Sequence, residues 1–314
     1  MPLPKEHLEY PQRRYGMDQN LYAWSMLPRR EPVAWPGGAR IALWISVSLE
    51  FFPLDQPARP FKAPGGMVTP YPDLRHYTTR DYGNRVGIQR LWRVLEKHRI
   101  KSSAVMNSKL AERYPYLVRK INARGDEIIA GGVDMGKLHY GGMDDSVEAG
   151  LVAESVNTLR RLSGQPVRGW MSPAKSESWN TLAHLQKAGI DYCCDWVNDD
   201  MPYPLKTPTG SLWAMPHTSE ISDRKIIVEN HHSEDEFVEQ VKDQFNLLYR
   251  ESEKAGGRIL SISLVPHVMG LHYRIKYLDQ VLAWIMDQKH VWPATGSEIL
   301  DAFRANTGTA SAGT

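Results

Sequence analysis

Between about residues 41 and 304 the chain repeats one unit: a short apolar run, a corner rich in Gly, Pro or Asn, then a helix-length stretch with apolar residues three and four apart. Strands that alternate with helices run parallel, because each helix carries the chain back to the edge of the sheet where the next strand must start. Enough such units curl the sheet into a barrel. Strands are expected at 41–49, 104–106, 127–130, 167–171, 190–194, 259–265 and 291–292. Helices are expected at 85–99, 109–124, after Asp144 or Asp145, at 177–188, 234–255, 276–289 and 297–304. Gly125, Gly189 and Gly256-Gly257 stand where helices should stop, and Ser233 to Glu236 reads as a capping box. No composition break divides these units. The fold class is therefore α/β, a distorted (β/α) barrel of seven or eight strands forming a single domain over 39–305.

The flanking segments differ. Residues 1–38 hold Tyr10, Tyr15, Tyr22 and Trp24 without a sustained period. Aromatics are costly in a free tail, so the segment reads as an ordered arm packing on the barrel or on a neighbouring subunit. Residues 53–84 read as one long loop, and 306–314 as a disordered tail. A net charge of +2 gives no electrostatic footprint for nucleic acid or an anionic membrane. No apolar run approaches membrane-spanning length, and the N-terminus lacks the apolar core of a secretory signal. Cys193 and Cys194 are adjacent and poorly placed for an ordinary disulfide, so they read as buried free thiols in a cytoplasmic protein.

In a parallel barrel, catalytic groups follow the C-terminal ends of the strands. The first strand ends in Ser48-Leu49-Glu50, placing a carboxylate where a general base would sit; the alternative is a salt bridge to Arg80 or Arg85. The long loop delivers Arg80-Asp81-Tyr82-Gly83-Asn84-Arg85, suited to a small polar or anionic substrate, with Gly83 suggesting a turn. Later strand ends supply His139, then Trp170 and Ser172, then Asp195-Trp196-Val197-Asn198-Asp199-Asp200-Met201-Pro202-Tyr203. His217, Glu220 and Asp223 follow Pro216, and Pro266-His267 closes the strand at 259–265.

Taken in order, these strand-end motifs resemble the polysaccharide deacetylase superfamily, and within it the allantoinase-like and cyclic-imidase-like branch. The likeness runs from about residue 8 to 303. It implies a NodB-like barrel, usually oligomeric (a homodimer or homotetramer), that hydrolyses C–N bonds in small cyclic amides, imides or ureides. Metal-dependent members of the superfamily hold a divalent cation with an Asp and two His. Here the two histidine positions fall on Gly131 and Met135, a later one on Val265, and a motif arginine on Met171. The resemblance therefore implies an enzyme without that metal site. Glu50 would act as base, with His139 or His267 as proton donor or oxyanion partner. Arg80, Tyr82, Arg85, Trp170, Ser172, Asp195, Trp196, Asn198, Asp199, Asp200, Tyr203 and Glu220 would bind substrate. No cofactor is expected; the rival readings are a metal-dependent N-deacetylase with an altered ligand set, zinc above all, and a catalytically silent relative.

Overall fold

The structure is a computed structural model that describes residues 19, 21–54 and 74–307. Much of the proposed N-terminal arm, most of the long loop at 53–84 and the C-terminal tail lie outside the described residues.

Among the described residues nine strands form one sheet: β1 (Ile41–Leu49), β2 (Ser103–Met106), β3 (Glu127–Ala130), β4 (Gly169–Trp170), β5 (Tyr192–Cys193), β6 (Tyr203–Thr207), β7 (Gly210–Ala214), β8 (Arg258–Leu264) and β9 (Val291–Pro293). Their order is β6-β7-β5-β4-β3-β2-β1-β8, with β9 added beside β1. Every pairing from β7 through to β8 is parallel, while β6 and β7 form an antiparallel hairpin at one edge. The curled sheet is the distorted (β/α) barrel expected from the alternation.

All nine residues of β1 are buried, as a strand covered on both faces requires. Ile41, Leu43, Ile45, Val47 and Leu49 pack outward with the helices, whereas Ala42 and Trp44 join the interior cluster with Val105, Ile129, Tyr192 and Trp213. Glu50 is the next residue in the inward series.

The helical layer comprises α1 (Leu74–Tyr82), α2 (Ile88–Lys97), α3 (Ser108–Arg113), α4 (Pro115–Arg124), α5 (Asp145–Ser163), α6 (Thr181–Lys187), α7 (Glu234–Ala255), α8 (Pro266–Met269), α9 (Ile275–Met286) and α10 (Gly296–Thr307). Their ends follow local chemistry. The Asp144 carboxylate accepts from the Ser146 and Val147 amides, Ser233 and Glu236 complete the capping box, and Gly125 takes the left-handed conformation after α4.

Two departures from expectation bear on the site. Helix α1 begins inside the stretch read as loop, and a π-helical turn at Gly83–Gly87 joins it to α2. Gly83 is thus not a turn residue. A Cβ there would lie 2.7 Å from the His267 amide nitrogen, and one at Gly87 would lie 2.0 Å from the Pro266 carbonyl oxygen. Close packing on α8, not chain reversal, is what demands both glycines. The second departure is the β6–β7 hairpin, which sequence reading left unassigned.

The sheet does not close by a ladder. Edge strands β6 and β8 stay unpaired with each other, and one bridge, Ser222 to Ser263, links the segment after β7 to β8. The described part of the arm covers this seam: the Val33 carbonyl accepts from the Gly257 amide at 2.6 Å, Trp35 Nε1 donates to the Arg258 carbonyl at 3.0 Å, and the Leu21 carbonyl accepts from the Lys206 amide at 2.6 Å.

Candidate active site

At the end of β1 the backbone is pinned on both sides of Glu50. Asn84 Nδ2 donates to the Glu50 carbonyl at 3.0 Å, and the Phe51 amide donates to Asn107 Oδ1 at 2.7 Å. Asn84 follows Gly83, whose backbone presses on that of His267, so one helical turn fixes the positions of both Glu50 and His267. Burial raises the Glu50 carboxyl above the usual range, while Arg224 and Arg80 pull it down. Burial and the same two arginines hold His267 down to about 3, so its imidazole is neutral at pH 7. Among the described residues no cation comes within ion-pair distance of the Glu50 carboxylate. Arg80 instead lies 3.8 Å above the Phe52 ring and donates to His76 Nδ1. Four groups with complementary chemistry therefore share this end of the barrel: an acid with raised proton affinity, a neutral imidazole and two guanidinium groups.

Other predicted site residues fall elsewhere. His139 is buried outside the barrel wall. Its Nδ1 pairs with Glu148 of α5 at 2.9 Å, and its ring meets Trp170 edge-on at 5.8 Å. Glu148 also accepts from Ser178 and Thr181. The histidine thus ties a loop to two helices. Trp170 faces the helices, as outward parity dictates, with Nε1 donating to Ser172 Oγ at 2.8 Å. Arg85 has a side chain 74% exposed, its nearest acid being Asp81 at 4.0 Å, and Tyr82 accepts from Arg90. Glu220 is exposed. Asp223, buried, accepts from the Val265, Met269 and Arg224 amides, clamping the start of α8.

The acidic segment after β5 divides between two tasks. Asp195 accepts from the Ser172 amide at 2.9 Å and lies in a cluster with Glu177 and Cys193. Trp196 Nε1 donates to Glu177, and Tyr22 meets the Trp196 ring edge-on and the Tyr203 ring at a tilt. Asp199 takes a bidentate pair from Arg30, both contacts at 2.6 Å, and Tyr203 donates to Asn198. Asp200 is exposed. Asn198, Asp199, Trp196 and Tyr203 therefore hold the arm.

Glu177, Lys175 and Arg224 were not singled out from the sequence, and His217 was given a place after Pro216 but no role. Burial first, then Asp195 beside it, raises Glu177 well above the carboxylate range. Glu177, Asp195, Lys175, Trp196 and Asn198 line an open cavity of about 360 Å³. Lys175 has positive φ, as does Ala174, and its Nζ donates to the His217 carbonyl at 2.5 Å and to Ser219 Oγ. His217 lies inside the barrel with Nε2 2.7 Å from Ser46 Oγ and its ring edge-on to Trp44. Burial holds it down to about 3.

The metal site of metal-dependent deacetylases does not fit these residues. Gly131 offers no ligand atom where a histidine would stand, a Cβ there would already lie 3.1 Å from the Met106 carbonyl group, and Met135 offers only a thioether. Among the described residues one cluster, Glu177, Cys193 and Asp195, brings three ligand-type groups together. Burial keeps its thiol protonated, and the Lys175 ammonium lies beside it. No step is derived through a metal.

The sheet order, the curled parallel strands and the strand-end carboxylate define a NodB-like (β/α) barrel. The polysaccharide deacetylase family model matches residues 70–193. Over that stretch the chain is similar to polysaccharide deacetylases. It is 24% identical over 298 residues to a putative polysaccharide deacetylase of Schizosaccharomyces pombe, covering 86% of this chain and 92% of that one. Among solved structures, PuuE allantoinase superposes with a TM-score of 0.82 at 25% identity, over 95% of this chain and 98% of the other. A probable polysaccharide deacetylase from Pseudomonas aeruginosa gives 0.74 at 24% identity, over 86% and 93%, a likeness of fold.

Proposed function

We propose that the protein hydrolyses a carbon–nitrogen bond in a small cyclic amide, imide or ureide, with Glu50 as general base. The observation that carries this reading is the Glu50 carboxyl itself: next in the inward series of β1, raised in proton affinity by burial, and flanked by cationic groups that do not neutralise it by direct pairing. A carboxylate with proton affinity nearer neutrality takes a proton from water more readily in the transition state. Attack on the ring carbonyl builds negative charge on its oxygen. Arg80, Arg224 and the neutral His267 imidazole supply donors for that charge; with a proton affinity so low, His267 suits hydrogen bonding better than proton delivery. The likeness to PuuE allantoinase over nearly the whole of both chains favours a ring ureide or imide over an acetylated polymer. The misfit of a metal at Gly131 and Met135 favours the same choice.

The test is a screen of cyclic amides, imides and ureides with the full chain, followed by Glu50→Gln on whichever substrate turns over. Glu50→Gln is expected to keep the melting temperature and lower kcat/KM by about 10²–10⁴-fold, the usual contribution of a positioned base. Normal turnover by the variant overturns the mechanism, and failure of every ring substrate beside turnover of an acetylated sugar overturns the substrate class.

A further inference from the structure

Histidine rings in this fold are mostly held by their own nitrogens. His98, His139, His184 and His217 each place a ring nitrogen beside a side-chain oxygen, of Asp279, Glu148, Asp145 and Ser46, at 2.7, 2.9, 2.9 and 2.7 Å. His267 is held differently. Among the described residues no hydrogen bond reaches its ring, whose proton affinity answers to burial and to the charges of Arg80 and Arg224. Its backbone therefore aims it, and that backbone is α8, a helix of four residues. A helix this short is not stable by itself, so whatever fixes α8 fixes the imidazole.

Two charged side chains hold its opposite ends. The buried Asp223 carboxylate accepts from the Val265 amide at 3.0 Å and from the Met269 amide at 3.1 Å. The bridge between Ser222 and Ser263 brings Asp223 to that place. Past the last residue of α8, Arg90 Nη1 donates to the Gly270 carbonyl at 2.8 Å and to the Tyr82 hydroxyl. An acceptor for the first amides and a donor for the last carbonyl supply what the ends of a helix lack. Arg90 stands in α2, which continues the π-helical turn carrying Asn84, and Asn84 holds the Glu50 carbonyl. One helical stretch thus sets His267 relative to Glu50.

We propose that Asp223 and Arg90 are positioning residues, which hold α8 by its two ends and so aim the His267 ring; the consequence for turnover rests on the role given to His267 in the proposed hydrolysis. Both act through the backbone of α8. A donor displaced by about 1 Å from a developing oxyanion costs on the order of 10²-fold in rate, so a slack α8 would lower kcat while leaving substrate binding largely intact.

The ring can be followed without a substrate, by nuclear magnetic resonance of the histidine side chains in the isotope-labelled full chain between pH 8 and pH 5. The His267 signals are those lost in His267→Gln. In the wild type that ring is expected to stay neutral throughout. Asp223→Asn turns an amide N–H group toward backbone amides, and Arg90→Met keeps the apolar stem but loses the donors. In each, α8 loosens, water reaches the ring, and His267 takes up its proton near the ordinary value of about 6.5. His139 and His217, held by their ring bonds, should titrate as in the wild type. With any ring substrate that the wild type turns over, kcat should fall about tenfold to a hundredfold in each variant, with KM within about twofold. Circular dichroism checks folding; should Asp223→Asn fail to fold, Arg90→Met decides alone. A His267 ring that stays neutral in folded Arg90→Met, a change shared equally by His139 and His217, or an unaltered kcat overturns the proposal. If no ring substrate turns over, the hydrolysis reading fails on its own test and the titration still decides this one.

Discussion

His217 gives the barrel interior a measurable acid sensitivity. The ring is 2% exposed, its Nε2 meets Ser46, and its Nδ1 has no hydrogen-bond partner, so a second proton would have to be carried without water. Burial, with Lys175 close by, holds its proton affinity down to about 3, against an ordinary value near 6.5. Above pH 6.5 the ring is neutral in both folded and unfolded chains, and the difference contributes nothing to the pH dependence. As pH falls below 6.5 the unfolded chain takes up a proton that the folded chain refuses, so stability is lost progressively until about pH 3. At pH 5 the unfolded ring has been protonating over about 1.5 pH units at about 1.4 kcal/mol each, a loss of about 2 kcal/mol.

The total slope does not isolate this effect. Glu50, Glu177 and Asp195 have raised proton affinities and act in the opposite direction over the same interval. His267 adds to the loss. The discriminating quantity is a difference. His217→Gln keeps a group able to reach Ser46 and removes the titration. Urea unfolding at pH 7 and pH 5 should show the wild type losing about 2 kcal/mol more than the variant on acidification, whatever constant cost the substitution carries. Equal losses in the two proteins would refute the assignment of a neutral, water-excluded ring.

Further outcomes follow from the same geometry. Gly87→Ala sets a Cβ 2.0 Å from the Pro266 carbonyl oxygen, so it should destabilise by about 1–3 kcal/mol in urea unfolding and displace His267 with α8. His139→Gln should cost about 1–3 kcal/mol by weakening the buried pair with Glu148, yet leave kcat/KM of the folded protein within about twofold; a hundredfold fall would restore the histidine to the chemistry. Dialysis against a chelator should leave turnover unchanged, because the barrel mouth offers Gly131 and Met135 where metal ligands would stand; loss of activity restored by zinc would reverse that reading.

Much of the fold was legible because local and global signals agree. The nine-residue apolar run became β1, and Gly125, Asp144 and Ser233 mark helix ends by conformations and bonds that depend on few distant residues. The misread segments are those where distant packing decides. Gly83 looks like loop punctuation, but the backbone of His267 presses on it, and the contact spans nearly two hundred positions. The β6–β7 hairpin did carry a local sign. Thr207-Pro208-Thr209-Gly210 is a turn flanked by short runs of strand-forming residues. Read as a hairpin, it would have set the parity of Trp213, Met215 and His217, and placed His217 inside the barrel.

The site was legible only where parity could be counted. Glu50 extends a nine-residue strand whose inward positions are fixed, so its direction follows from arithmetic. The Asp195–Tyr203 segment has no such frame. A cluster of acids after a strand is equally suited to a substrate and to an arginine of the same chain, and here Arg30, 169 positions away, takes Asp199. His139 poses the same ambiguity, and its partner Glu148 is an ordinary helix residue until the fold buries it. What separates a catalytic from a structural polar residue is therefore the identity of its partner, and that is a property of the folded chain. By this criterion Glu50 stands apart from Asp199, Asp223 and Glu148, since each of those three carboxylates is bound by protein donors while, among the described residues, Glu50 is held through its backbone carbonyl by Asn84.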